Sequence, residues 1–141
     1  GAAPPDDKHV YRLASTSAKY QNNIFDWAAS APKNYNDPKV ISSYSGWARP
    51  KFFFFFFGNG GASIAHLVSS EFEAKYLIDF LDSNFCKFLQ LEYKGDYQWM
   101  PVYYVLNLPI DLLIKPWQEV FDLTKDELLY VDKIIEQHKL G

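Results

Sequence analysis

The feature that most constrains the fold is a run of six consecutive phenylalanines, residues 52–57, which ends at Gly58. A short, unbroken apolar run that stops at glycine is typical of a strand covered on both faces. Asn59 and the glycines beside it favour a tight turn, because these residues accept positive φ. A second apolar stretch follows, so the sequence predicts a β-hairpin over about residues 51–68.

Two helix starts are marked downstream by capping boxes. Ser70 and Thr124 each precede a glutamate by three residues, a spacing in which each side chain satisfies a backbone N–H at the helix start. Apolar residues spaced three or four apart follow each box and mark one buried face. The sequence therefore predicts a long amphipathic helix over about residues 70–90 and a C-terminal helix over about residues 124–138.

The remaining pattern completes an α+β prediction with a small mixed or antiparallel sheet. Residues 39–44 read as a short strand, and residues 16–30 have weakly helical spacing. With 141 residues, of which 48% are hydrophobic, the chain has room for one domain with a real core. We expect residues 1–9 to be a tail or a remnant of tag removal, and residues 10–141 to form a single domain excised from a longer chain.

Charge is uneven along the chain. Residues 1–70 hold seven Lys/Arg and four Asp/Glu, whereas residues 71–141 hold seven and thirteen, and the overall charge is −3. The chain also holds 12 Phe, 10 Tyr and 4 Trp, and many of these lie among the cations of the first half. Cations neutralise phosphates and planar rings stack on bases, so this mixture suits a nucleic-acid face. A solvated basic surface beside an aromatic core is the alternative.

The sequence offers few residues for a disulfide, a metal site, a cofactor site or a catalytic site. A single cysteine, Cys86, excludes an internal disulfide and any zinc site built on paired thiolates. His9, His66 and His138 are widely separated, and we interpret His66 as a hydrogen-bonded core residue. Residues 56–60 match F-x-G-x-G, a pattern that binds methyl donors, but such a loop should open directly into a helix. We therefore predict a non-catalytic fragment that holds no cofactor of its own.

The subcellular location is predicted from two features of the sequence. No run approaches the roughly 18 apolar residues needed to span a bilayer, and no signal peptide is visible. We expect a cytoplasmic protein that does not contact a membrane.

Three stretches, in order, carry a resemblance to a known family. They are residues 49–63, residues 70–89 (SEFEAKYLIDFLDSNFCKFL) and residues 108–136, the last with a Pro116-Trp117 pair and a Leu123-Thr124 start. Together they resemble the C-terminal, TaqI-like specificity domain, also called the target-recognition domain, of adenine-specific DNA methyltransferases of restriction–modification systems. The catalytic Asn-Pro-Pro-Tyr-type motif of that family is absent from the chain.

The resemblance implies a division of labour. This domain would bind double-stranded DNA, while a covalently linked methyltransferase domain would bind S-adenosylmethionine and accept a flipped adenine. Lysine and arginine would contact phosphates, and Asn59 and Gln98 would pair with adenine edges. The predicted DNA-binding residues are Tyr44, Trp47, Arg49, Lys51, Asn59, Lys94, Tyr97 and Gln98. Two other classes stay open: a protein–protein interaction module that uses exposed aromatic residues, and a small hydrolase.

Overall fold

The computed structural model describes residues 3–14, 24–43, 51–54, 57–59, 63–94 and 109–138. Six strands come first along the chain: β1 (Tyr11–Ala14), β2 (Asp26–Ala28), β3 (Lys39–Ser43), β4 (Lys51–Phe53), β5 (Gly58–Asn59) and β6 (Ser63–Leu67). Helices follow: α1 (Glu71–Leu81), α2 (Asn84–Lys94), a 3₁₀ turn (Ile110–Leu113), α3 (Trp117–Phe121) and α4 (Lys125–Gln137). The predicted α+β class is confirmed.

The strands form two three-stranded sheets. In the first, which we call sheet A, the order is β2-β1-β5, with β1 antiparallel to β2 and parallel to β5. In the second, sheet B, the order is β4-β3-β6 and both pairings are antiparallel. The short strand expected at residues 39–44 is confirmed as β3, the centre of sheet B. Asp26–Ala28 is a strand, so the helical expectation for residues 16–30 is wrong at that point.

The predicted hairpin over residues 51–68 is wrong, because β3 lies between its two arms. Val40 of β3 registers with Phe52 of β4 on one side and with His66 of β6 on the other. The phenylalanine run is also divided, since β4 ends at Phe53. A run that is apolar at every position carries no alternation to show where one strand stops.

Gly58 and Asn59, expected at the start of a tight turn, form β5 and pair in parallel with β1, while Gly60 and Gly61 of that turn lie outside the described residues. The glycine is needed for space. A Cβ at Gly58 would lie 2.6 Å from Leu13 Cδ2 and 2.7 Å from Pro32 Cγ. The leucine can rotate away, but the proline ring is rigid, so this position excludes a side chain.

We expect Gly58→Ala to lower the free energy of unfolding by about 1 to 3 kcal/mol, the usual cost of overpacking. Urea denaturation monitored by circular dichroism measures the loss. In a Pro32→Ala background the same substitution should cost less, since the ring that it meets is gone. An equal loss in both backgrounds would contradict the packing explanation.

Sheet B separates two apolar clusters, because successive side chains of a strand point to opposite faces. Ile41 packs with Ala14, Phe25 and Phe57, a cluster we call the aromatic core. Val40 faces the other way, into the helical core of buried residues Val68, Ala74, Leu77, Phe80, Leu81, Phe85, Cys86, Leu112, Val131 and Ile135. The sheets therefore sit on one side of the molecule's main core and the helices on the other.

Lys39, on β3, is 1% exposed, although lysine is almost never fully buried without a partner. Its Nζ donates to the backbone oxygen of Phe57 at 2.6 Å and to that of Tyr35 at 3.2 Å. Burial lowers the pKa of this amine, and the nearby Asp37 opposes the shift. Because Phe57 leads directly into β5, the buried amine ties sheet B to sheet A.

The single helix expected over residues 70–90 is two helices, α1 and α2. Ser83 ends one and begins the other: its Oγ donates to the carbonyl oxygen of Phe80 at 2.6 Å and accepts from the N–H of Cys86 at 3.1 Å. The second bond is an N-cap, which starts a new helix there. The C-terminal helix is confirmed as α4, with the Thr124–Glu127 capping box fully formed.

Candidate nucleic-acid interface

The structure describes the side chain of one predicted DNA-binding residue, Lys51. Asn59 is placed by its backbone in β5, and Lys94 is the last residue of α2. These three residues lie in sheet B, sheet A and the helices, so the described elements do not gather them into one site. The other predicted residues lie outside the described part of the chain: Tyr44, Trp47, Arg49, Tyr97 and Gln98.

Lys51 is the first residue of β4, which is an edge strand of sheet B among the described residues. Its Nζ lies 5.8 Å from the centroid of the Phe53 ring, within the range of a cation–π interaction. Phe54 follows, with 47% of its surface exposed and its ring edge-on to Phe52 at 6.1 Å. Lys51 and Phe53 therefore lie on one face of β4, and the exposed Phe54 ring lies with Phe52 on the other.

Arg12 lies on β1, the central strand of sheet A, and it also contacts aromatic rings. Its guanidinium carbon lies 5.8 Å from the Phe25 centroid and 5.3 Å from the Phe57 centroid. Trp27, on the neighbouring strand β2, is paired with Arg12 in the sheet register. In the sequence, Arg12 is one of the seven cations of residues 1–70, and its only signal is that aromatic residues lie among those cations.

One pair of stacked rings connects the two cations. Phe53 and Phe57 are stacked with centroids 3.9 Å apart and planes 21° from parallel. Lys51 lies against Phe53 and Arg12 against Phe57, so the two charges are within about 15 Å of each other. We call this arrangement of Arg12, Phe57, Phe53 and Lys51 the cation–aromatic stack. It brings together residues nearly forty positions apart in sequence.

The helices carry the opposite charge. Residues 71–141, which include every described helix, hold thirteen acidic and seven basic side chains. Like charge repels a polyanion, so phosphates are disfavoured on the helical side and favoured near the cations of the sheets. Lys94, predicted to bind DNA, belongs to the acidic side.

Of three side chains with catalytic potential, Ser42 and Cys86 are buried and His66 is half-buried. Ser42 Oγ and His66 Nε2 are 3.5 Å apart, and burial lowers the pKa of His66 to about 4, so the imidazole is neutral at pH 7. His66 is hydrogen-bonded as expected, but it is half-buried and belongs to neither apolar cluster. Cys86 is 0% exposed, and burial raises the pKa of its thiol, which disfavours the reactive thiolate.

Among the described residues, no group of three or more His, Cys, Asp or Glu side chains could hold a metal ion. None of the helices described is both long enough and apolar enough to cross a membrane.

The chain was compared with protein-family models, with curated proteins and with solved structures. No match was found. The resemblance to target-recognition domains therefore rests on its three motifs. In the structure the first motif is divided between β4, β5 and β6, the second spans α1 and α2, and the third includes the 3₁₀ turn, α3 and α4.

Proposed function

We propose that the chain is a non-catalytic domain that binds double-stranded DNA and positions it for a linked adenine-specific methyltransferase domain, the part that would hold S-adenosylmethionine. The cation–aromatic stack is the observation that carries this proposal. It places Arg12 and Lys51 on either side of one pair of rings, at the junction of the two sheets. We place the domain in the cytoplasm.

The two cations would act on the DNA backbone. Their separation is less than half of the ~34 Å turn of a duplex, so both can reach phosphates on one face of it. Such contacts set register and orientation but carry no sequence information. Base reading would belong to Asn59 of β5 and to Gln98, which lies outside the described residues. The acidic helices would face away from the duplex.

A salt series tests the proposal. We expect Arg12→Gln/Lys51→Gln to reduce the slope of log affinity against log salt concentration by about 2, since each lost phosphate contact removes close to one unit. Fluorescence anisotropy of a labelled duplex, measured at several potassium chloride concentrations, gives the slope. Circular dichroism confirms that the variant is folded.

Lys125→Gln/Lys133→Gln is the matched control, because it removes two charges from α4, where residues 71–141 carry an acidic excess. It should leave the slope unchanged. An equal loss of slope in both double variants would show that net charge alone matters. Absence of duplex binding by the unaltered chain at low salt would contradict the proposal.

A protein–protein interaction module is the second candidate, and exposed apolar side chains favour it. Phe72 is 79% exposed and Ile110 is 80% exposed, and large exposed apolar residues serve as anchors at interfaces. Association that persists at high salt, with no binding of DNA, would support this function in place of the first.

A further inference from the structure

A cleft of about 460 Å³ lies where the start of α2 meets α1, α3 and α4. Its apolar lining comes from Phe85, Trp117, Leu128 and Val131. The Phe85 and Trp117 rings are stacked, with centroids 5.6 Å apart and planes 8° from parallel. The volume falls within the range of about 300 to 1,000 Å³ that is typical of ligand pockets.

The charged lining of this cleft is mainly acidic. Asp79 comes from α1 and Asp132 from α4, against one cation, Lys75. Asn84 Nδ2 donates to Asp132 Oδ1 at 2.9 Å, so the start of α2 fixes the position of that carboxylate. The second half of the sequence, residues 71–141, has the same sign of charge, with thirteen acidic and seven basic side chains.

We propose that this cleft binds an arginine side chain presented by a partner protein. A guanidinium group is planar, stacks on aromatic surfaces and pairs with carboxylates through two parallel hydrogen bonds. The indole of Trp117 supplies the aromatic surface, and Asp79 and Asp132 supply the carboxylates. The aliphatic stem of the arginine would pack on Leu128 and Val131. This site is separate from the cation–aromatic stack and does not depend on DNA binding.

Other ligands fit the cleft less well. A phosphate or a carboxylate would face two aspartates with one lysine to offset them, so anions are disfavoured. A lysine ammonium would satisfy one carboxylate but would gain less from the indole, since arginine is the commoner partner of aromatic rings. A free guanidinium ion has the head group but no stem to cover the apolar lining.

Titration of the ¹⁵N-labelled chain tests the proposal. The probes are acetyl-Gly-Arg-Gly-amide, guanidinium chloride, acetyl-Gly-Gln-Gly-amide and acetyl-Gly-Glu-Gly-amide, and the readout is the indole N–H signal of Trp117, assigned with Trp117→Phe. We expect the arginine peptide to shift this signal at the lowest concentration. Equal binding of guanidinium alone would mean a small-cation site and overturn the proposal. Tighter binding of the glutamate peptide, or no shift with arginine, would also overturn it.

Charge variants give an independent test. We expect Asp79→Asn and Asp132→Asn each to weaken binding of the arginine peptide about threefold, as for exposed ion pairs. Lys75→Gln should strengthen binding about twofold, because it removes a like charge from the cleft. Asp126→Asn, on α4 but outside the cleft, is the matched control and should change nothing. If both aspartate variants bind as the unaltered chain does, or if Lys75→Gln weakens binding, the cleft is not a guanidinium site.

Discussion

Replacing Lys39 with alanine is expected to lower the free energy of unfolding by about 3 to 4 kcal/mol. The substitution removes a charged donor from the backbone oxygens of Tyr35 and Phe57, and hydrogen bonds of this kind contribute about 1.5 to 3 kcal/mol each. It also leaves a cavity where the aliphatic stem was packed. Relief of the desolvated charge offsets part of this loss. Urea denaturation at pH 7 measures the difference.

Two further variants separate these contributions. Lys39→Met keeps most of the stem and should lose about half as much stability as the alanine variant, because the loss then comes from the unpaired oxygens. Lys33→Ala removes an exposed lysine and should change stability by less than about 0.5 kcal/mol. If the methionine variant proves as stable as the unaltered chain, the buried amine contributes nothing to holding the sheets together.

Stability is also expected to fall as the pH drops from about 6.5 to 4, by up to about 3 kcal/mol through His66. Its pKa is about 4 in the folded chain, against an ordinary value of 6.5. The unfolded chain therefore binds the proton first. The contribution is fully present above pH 6.5 and is lost progressively as the pH falls toward 4.

Carboxyl groups titrate in the lower part of this range, so the measurement is a difference between two chains. Urea unfolding of the unaltered chain and of His66→Gln at pH 7, 5.5 and 4 isolates the histidine's share. The unaltered chain should lose more stability than the variant over this interval. Parallel pH profiles would show that His66 accepts its proton equally well in both states.

Short sequence motifs correctly predicted the helices and strands whose ends are determined by residues close by in the sequence. Thr124 and Glu127 determine the start of α4 within three positions of the sequence, and the loop before Lys39 fixes the start of β3. The division of the 70–90 helix was missed because apolar spacing continues across Ser83. Only the hydrogen bonds of that side chain show that it acts as a cap rather than as one more helical residue.

These motifs could not predict which strands pair when the strands are far apart in the sequence. β5 pairs with β1 across more than forty residues, and nothing near Gly58 indicates that partner. The same limit applies to the candidate sites. The resemblance implied that Lys51 binds DNA, but the link from Lys51 to Arg12 exists only because the two sheets meet at Phe53 and Phe57. The cleft at Trp117 likewise depends on four helices and was not anticipated.

The phenylalanine run begins in β4 of sheet B and ends directly before β5 of sheet A, and this arrangement affects aggregation. Six adjacent apolar residues without charge or proline are a typical nucleus for cross-β assembly. In the native chain Phe53 pairs with Lys39 of β3, and Phe57 is followed directly by β5 of the other sheet. The six phenylalanines therefore do not form one continuous strand on which a fibril could grow. Partial opening between the sheets would release it, and fibril formation should then begin before global unfolding is complete.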